Sequence, residues 1–504
     1  MIDRIRSYLW TVVRGSIPGE GLAERTAKSG IWATATNVGE RVLQIVLLVI
    51  LARLLDPADF GLMGIALLVV SGLQKFSELG LDAALIHREE ADIDKYLNTA
   101  WCLQALRGVS LAGITFLSAP YIASFFGEPR AADILRVIAI APLLYDLRNP
   151  AVIYFRKSLE FHKEFVYELS GSVAYFAVAL GYALVRPTVW ALVFGYIATN
   201  AAQLLISYLL HGYRPWPEFD RSFAEELIGY GKWITGNSVL GFLFLQADDA
   251  VVGWALSATA LGFYQLAYRL SNAPATEITN VISNVMFPAY SQLQDDPDRL
   301  RKAFLRILKL VTFISFPVAI GIVAVAPTFI RAFLGPDWMP MTTVMQILAI
   351  WGLMRSFAST SDPVWKAIGR PDYVTKLGII KVALLAVFVY PITTQYGIEG
   401  TAFLLVGTFL FPQWPIELRW VINSTGTTYA RYLQTLIYPF IASIVMGLTV
   451  VFVRQSLDIQ PMIKFFLLVA IGVTSYVLVV KVLETWFEWE ITGDIRDIAD
   501  VISS

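Results

Sequence analysis

Apolar stretches of roughly 20 residues recur along almost the whole chain. That length is about what an α-helix needs to cross ~30 Å of hydrocarbon. Inside a bilayer every backbone N–H and C=O group must be paired within the protein, and helices meet this requirement. The sequence therefore predicts an all-α polytopic membrane protein with about fourteen transmembrane helices. The predicted spans are 31–55, 60–81, 97–119, 131–153, 166–186, 188–210, 232–256, 261–287, 304–330, 338–360, 373–392, 398–420, 432–453 and 461–483.

The composition agrees with a surface that faces lipid. Of the 504 residues 56% are hydrophobic and only 16% are charged, whereas soluble domains are about a quarter charged. The formal net charge of -1 argues against a nucleic-acid partner. Cys102 is the one cysteine and the three histidines lie far apart, so the sequence predicts no disulfide, no metal site and no catalytic residue.

The connections between the predicted spans differ in charge on the two sides of the membrane. Counted from the N-terminus, the connections on one side are rich in lysine and arginine, and those on the other side are not. The positive-inside rule then places both termini in the cytoplasm of a multi-pass protein of the plasma (inner) membrane. The external connections are all short, so no external domain is expected.

An internal repeat is visible at a separation of 201 residues, at which Gly30 corresponds to Gly231 and Gly61 to Gly262. Six predicted spans separate the copies, so both have the same orientation. The repeat predicts two six-helix lobes around a central cavity, followed by two C-terminal helices. The predicted organisation is an N-terminal cytoplasmic segment 1–30, an N-lobe 31–210, a cytoplasmic linker 211–231, a C-lobe 232–422, two further spans within 423–485 and an acidic cytoplasmic tail 486–504.

Four of the predicted spans carry polar residues at helical spacing, which places each set on one helix face. A charge at the centre of a span costs ~2.5–3.5 kcal/mol, so these residues should face water or each other. The candidate cavity residues are Asn37, Glu40, Arg41 and Gln44 in the first span, Lys75 and Glu78 in the second, Asp248 and Asp249 in the seventh, and Gln265, Arg269 and Asn272 in the eighth.

The cations of this set have two interpretations. In the first, Arg41 and Lys75 form a buried structural ion network with Glu40 and Glu78. In the second, they line a hydrated cavity that binds an anion, because arginine and lysine both bind phosphate. Arg107 and Lys381 are further candidates for such a cavity.

The neighbouring acids Asp248 and Asp249 leave three interpretations open. They balance the charge of Arg269, which lies at a matched depth, they couple transport to Na+ or H+, or they point to the surface of a lobe. The chain contains no P-loop signature, so direct use of ATP is not expected. Apart from a coupled Na+ or H+, no cofactor is expected.

Several segments resemble a known family. The segments 52–63 and 76–81 are similar to the first hairpin of the Wzx-type polysaccharide flippases, which belong to the multidrug/oligosaccharidyl-lipid/polysaccharide exporter superfamily. The segments 264–270 and 287–291 are similar to the matching hairpin of the second lobe. The resemblance extends over nearly the whole chain.

The resemblance implies a V-shaped cavity between two lobes and an isoprenoid (di)phosphate-linked oligosaccharide as cargo, carried from the cytoplasmic to the outer leaflet by alternating access. It also implies that cations in the first, second and eighth spans bind the phosphate. Arg41, Lys75 and Arg269 occupy comparable places, although the cation of the second span is a lysine here. Membrane lipids and a polysaccharide polymerase or assembly machinery are the other expected partners.

Three alternatives are left open. An ion-coupled multidrug exporter of the same superfamily should have a cavity richer in acidic and aromatic residues than in cations. A membrane glycosyltransferase or polymerase usually places acidic catalytic residues in a sizeable external loop, and here the first external connection is only 55–60. The third alternative is a non-catalytic membrane scaffold.

Overall fold

The computed structural model describes residues 44–78, 80, 90–157, 160–487 and 493, and within these ranges every regular element is helical. The chain divides into two compact units. Unit 1 contains the residues up to 246 together with 257–262, and unit 2 contains 247–256 together with the residues from 263 onwards. The prediction of an all-α membrane protein is confirmed.

The helices are numbered here in chain order. Those that begin in unit 1 are α1 (Gln44–Leu54), α2 (Pro57–Phe76), α3 (Glu90–Phe125), α4 (Ala131–Ile138), α5 (Ile140–Asp146), α6 (Ile153–Lys157), α7 (Phe161–Val185), α8 (Trp190–Leu210), α9 (Arg221–Ala255) and α10 (Ala258–Ser291). Those that lie wholly in unit 2 are α11 (Pro297–Phe329), α12 (Thr342–Ala358), α13 (Ser361–Ala367), α14 (Asp372–Thr408), α15 (Trp414–Thr425), α16 (Tyr429–Ser456) and α17 (Pro461–Phe487). Short 3-10 or π turns occupy Pro150–Val152, Ile330–Leu334, Pro336–Met341 and Phe409–Gln413.

Each predicted span overlaps helical residues in the described part of the chain. Eight helical stretches there are long and apolar enough to cross a membrane, and one of them, Asp372–Thr425, covers two predicted spans. The long helices α9 and α10 are not among the eight, and they carry the polar stripes of the seventh and eighth predicted spans. The total of about fourteen spans stays a prediction.

The backbone breaks twice along the stretch from α14 to α15. Gly397 adopts φ 65° and ψ -154°, a conformation that only glycine reaches without strain. This break separates the two spans predicted at 373–392 and 398–420. Phe411 has the extended values φ -143° and ψ 117° within the π turn, so the second of these spans is itself discontinuous.

The span predicted at 131–153 is interrupted. The chain forms α4, α5, a 3-10 turn and α6 in succession over this region. Pro142 and Pro150 both lie in it and lack the backbone N–H that a continuous helix uses. The Asn149 side chain accepts a hydrogen bond from the Ala151 amide at 3.0 Å and thereby caps the 3-10 turn.

Two turns that are equivalent in the sequence repeat cross each other within unit 1. A Cβ atom on Gly61 would overlap the carbonyl oxygen of Ala258, and a Cβ atom on Gly262 would overlap the carbonyl oxygen of Pro57. At a separation of 201 residues Pro57 corresponds to Ala258, and Gly61 to Gly262. The contact is therefore reciprocal, as expected for two repeat copies related by a two-fold axis.

The connection before α9 packs against α3 within unit 1. The Trp216 amide donates to the Asn98 side-chain oxygen at 3.0 Å. Asp220 then caps α9: hydrogen bonds from the Ser222 hydroxyl and the Phe223 amide lower the pKa of its carboxyl group. The helix begins at Arg221, so the second part of the predicted linker, 221–231, is helical.

Candidate functional site

Lys75 lies in the last turn of α2 and stays accessible. Its ammonium group forms an ion pair with the Glu78 carboxylate at 3.0 Å, but half of the lysine side chain is exposed. An exposed pair of this kind contributes little to stability. The charge of Lys75 is therefore available to an anion from outside the protein.

Glu78 connects this turn to the polar face of α9. The Ser238 hydroxyl hydrogen-bonds to the Glu78 carboxylate, and the Thr235 hydroxyl donates to the Glu78 backbone carbonyl. The Phe76 and Phe242 rings pack edge to face beside these contacts, with centroids 5.9 Å apart. The polar stripes predicted on the second and seventh spans thus meet within unit 1.

Arg107 is neutralised inside unit 1. Its guanidinium nitrogen Nε lies 3.6 Å from Oδ2 of Asp146, and the two side chains are 15% and 2% exposed. The helices α3 and α5 approach closely here because Gly108 has no side chain: a Cβ atom on it would lie 2.8 Å from the Asp146 Cβ. A buried ion pair of this geometry points to a structural contribution by Arg107.

The two acids of α9 accept hydrogen bonds from neighbouring residues of α10 within unit 2. The Tyr264 hydroxyl donates to Asp248 at 2.7 Å, and the Gln265 amide donates to Asp249 at 3.1 Å. Asp248 is only 5% exposed. Asp248 thus lies in the interior of unit 2, whereas Asp249 is half-buried.

Lys381 of α14 supplies the buried positive charge near Asp248. Its side chain is 4% exposed, and its ammonium nitrogen lies 4.5 Å from the centre of the Trp351 ring. The lysine and Asp248 act on each other electrostatically. A buried charge is stable only with such compensation, so Lys381, like Arg107, is committed to an acid of its own unit.

Arg269 differs from these buried cations because its side chain is exposed. It acts electrostatically on Asp249 and forms no ion pair within 4.0 Å in the described part of the chain. It lies eleven residues after Ala258, which is ~16 Å along α10. In the span predicted at 261–287, an exposed arginine at that depth requires water or an anion around it.

Arg355 of α12 is a second arginine on this polar face, and the sequence analysis missed it. It donates to the Tyr268 hydroxyl at 2.8 Å and to the Thr276 hydroxyl at 3.1 Å. Both partners belong to α10: Tyr268 directly precedes Arg269, and Thr276 follows it seven residues later. A charged residue inside the apolar span predicted at 338–360 was the available signal.

The remaining predicted cavity residues are dispersed. The Asn272 amide donates to the Leu348 carbonyl at 3.2 Å and thereby connects α10 to α12 in the interior of unit 2. Gln44 is exposed in α1. Asn37, Glu40 and Arg41 lie outside the described residues, so their roles stay predictions.

Together the helices and their polar faces define a polytopic membrane protein in which some cations are exposed and others lie near buried acids. A family model described as "Polysaccharide biosynthesis protein" matches residues 50–343, which is more than half of the chain. The chain belongs to this family.

Relatives agree with this assignment. The chain is 26% identical to the lipopolysaccharide biosynthesis protein WzxC of Escherichia coli (strain K12), over 84% of this chain and 86% of WzxC. It is 24% identical to the teichuronic acid biosynthesis protein TuaB of Bacillus subtilis (strain 168), over 89% of this chain and 94% of TuaB.

A solved structure shows the same fold. The structure described as the lipid II flippase MurJ in an inward closed conformation aligns with a TM-score of 0.71, covering 90% of this chain and 98% of that one. The sequences are 13% identical over the alignment. The similarity shows that the two chains share a fold.

Proposed function

We propose that the protein is a flippase that moves an isoprenoid (di)phosphate-linked oligosaccharide from the cytoplasmic to the outer leaflet by alternating access. The observation that carries this proposal is the difference among the membrane cations: Lys75 and Arg269 stay exposed, whereas Arg107 and Lys381 are neutralised by buried acids. Membership of a polysaccharide biosynthesis family and a fold shared with a lipid II flippase support the same cargo class.

The physical task is to carry a charged, hydrated head group past hydrocarbon. Transfer of an unpaired charge into a medium of low dielectric constant is prohibitive, so the head group needs polar partners at every stage. Exposed Lys75 and Arg269 can form charge-assisted hydrogen bonds with phosphate oxygens. The isoprenoid tail is apolar and can stay in the bilayer throughout. This process needs no covalent chemistry.

Arg355 is a positioning residue for Arg269 in this scheme. By donating to Tyr268 and Thr276, it fixes the side chains on the same helix that neighbour Arg269. The predicted contribution of Arg41 to phosphate binding is retained. We place the protein in the inner membrane with both termini in the cytoplasm, where a polysaccharide polymerase or assembly machinery would act on the translocated cargo.

Ion coupling is assigned to the acids of α9. Asp248 already has the Tyr264 hydroxyl and the Lys381 charge as partners. Asp249 has the neutral Gln265 amide and the exposed Arg269 near it. Asp249 is therefore the better placed of the two to exchange Na+ or H+, and phosphate binding by Arg269 would change the charge that Asp249 experiences.

The test is a translocation assay with the purified protein in liposomes that contain a lipid-linked oligosaccharide. Arg269→Ala and Lys75→Ala should each reduce translocation at least tenfold, because each removes a charge-assisted contact worth about 1.5–3 kcal/mol. Arg269→Lys should retain part of the activity, because it keeps the charge but loses the planar fork of arginine.

Arg221→Ala is the matched control, since this arginine is 88% exposed at the start of α9 and pairs only with Glu225 within its own helix among the described ion pairs. It should translocate at the wild-type rate. Wild-type rates for both Arg269→Ala and Lys75→Ala would remove these cations from the mechanism and with them the basis of the proposal.

A further inference from the structure

A second pair of acids lies in unit 2, apart from the acids of α9. Glu417 in the first turn of α15 is 3% exposed, and the carboxyl group of Asp362 in α13 acts on it electrostatically. Neither acid forms an ion pair within 4.0 Å in the described part of the chain. Lys366, the cation that acts on Asp362, is itself exposed.

Neutral polar side chains lie beside the Glu417 carboxyl group. The side chains of Ser361 and Gln413 both face it. Three buried oxygens nevertheless lack a hydrogen-bond partner: Oε1 of Glu417, Oγ of Ser361 and Oε1 of Gln413. Ser361 is fully buried, and its side chain lies next to the acid. Buried oxygens without a hydrogen-bond partner are costly inside a protein, above all next to a carboxyl group that has no ion pair. Their lone pairs favour binding of a cation.

The backbone at this place is also discontinuous. The π turn Phe409–Gln413 contains an extended residue, Phe411, and α15 begins directly after it. In membrane transporters, unwound backbone within a broken helix supplies carbonyl oxygens for Na+ or H+. Carboxylate, hydroxyl and amide oxygens are ligands of hard cations.

We propose that Ser361, Asp362, Gln413 and Glu417 form a binding site for a monovalent hard cation of the Na+ class in unit 2. The site brings together α13, the π turn and α15. A bound cation would compensate the two carboxyl groups, use the three orphaned oxygens and hold α13 against the broken span. The site is distinct from Asp248 and Asp249, and it does not depend on the identity of the cargo.

The test measures binding of ²²Na+ to the purified full-length protein in nanodiscs, without cargo, at constant ionic strength set with choline chloride. Wild-type protein should bind Na+ saturably, and Na+ should raise its Tm. Glu417→Gln removes the charged ligand at nearly constant volume, and in an Asp249→Asn background it should abolish both effects. Ser361→Ala removes one neutral ligand and should weaken binding roughly tenfold.

Two further variants locate the site. Asp458→Asn changes an exposed acid of unit 2 that is not part of the proposed site, and this variant should bind Na+ like the wild type. Asp249→Asn should also keep the ²²Na+ signal of the Glu417 site. The proposal is overturned if the wild type binds no Na+, or if folded Glu417→Gln and Ser361→Ala proteins both bind it with wild-type affinity. Loss of the signal in Asp249→Asn alone would assign the cation to α9 instead.

Because no cargo is present, this result is independent of the flippase assay. A protein that binds Na+ at Glu417 but fails to translocate lipid-linked oligosaccharide would retain this inference and lose the proposed function. The reverse outcome would retain the flippase and remove the cation site.

Discussion

The two units treat their buried cations in different ways. In unit 1 the guanidinium of Arg107 lies directly against the Asp146 carboxylate, in a site where both side chains are almost inaccessible. In unit 2 Lys381 lies over the Trp351 ring, and its acid, Asp248, also accepts a hydrogen bond from Tyr264. Unit 1 thus joins the two charges in a direct ion pair, whereas unit 2 shares its acid between a lysine and a tyrosine. Removing one member of a direct pair leaves a buried charge, whereas a shared acid keeps part of its compensation.

The largest effect is expected from Asp146→Ala in unit 1. The change removes the ion-pair partner of a 15%-exposed arginine and should lower the free energy of unfolding by about 3–5 kcal/mol. SDS titration of the protein in mixed micelles measures this loss. The double variant Arg107→Leu/Asp146→Leu should recover most of it, because it leaves no buried charge. A loss below about 1 kcal/mol for Asp146→Ala would show that the Arg107–Asp146 pair does not carry the stability assigned to it.

A smaller effect is expected from Lys381→Met in unit 2. Methionine keeps the apolar contact with Trp351, and Asp248 keeps the hydrogen bond from Tyr264, so the expected loss is about 1–3 kcal/mol. The same SDS titration applies. Adding Tyr264→Phe to Lys381→Met should cost more than the two single changes together, since Asp248 then loses both partners. Strictly additive losses would show that Lys381 and Tyr264 do not share Asp248.

The smallest stability effect is expected from Lys75→Ala. The lysine is half exposed and pairs with Glu78 three residues along the chain, a kind of contact worth about 0–1 kcal/mol. Its unfolding curve should nearly coincide with that of the wild type, while translocation falls. A stability loss as large as that of Asp146→Ala would show that Lys75 is a structural cation and not a binding residue.

The sequence predicted the helices well because the length of an apolar stretch is set by the thickness of the bilayer. The repeat identified the turns at Gly61 and Gly262 as equivalent, but their crossing was not predicted, because it depends on tertiary packing. At 131–153 the apolar composition predicted a span, but it did not show where the helix is interrupted around Pro142 and Pro150.

The partners of the cations could not be predicted in the same way. Asp146 belongs to the interrupted segment, and Lys381 lies on a helix remote in sequence from Asp248. Pairing of this kind depends on tertiary packing and leaves no periodic pattern. The place of Arg355 beside Arg269 was missed for the same reason, because its partners Tyr268 and Thr276 are on another helix. Periodicity identifies polar helix faces, but burial decides which charges remain accessible.

The central claim is that Lys75 and Arg269 face water and bind the cargo phosphate, and accessibility of engineered thiols tests it most directly. Single cysteines replace residues 75, 107, 269 and 381 in a Cys102→Ala background, since Cys102 is the one native thiol. A membrane-impermeant thiol reagent is then applied to membranes, with and without lipid-linked oligosaccharide.

The account predicts rapid labelling at 75 and 269, slow labelling at 107 and 381, and protection of 269 by the lipid-linked oligosaccharide. Equal labelling at all four positions, or failure of the reagent to reach 75 and 269 from either side of the membrane, would contradict it.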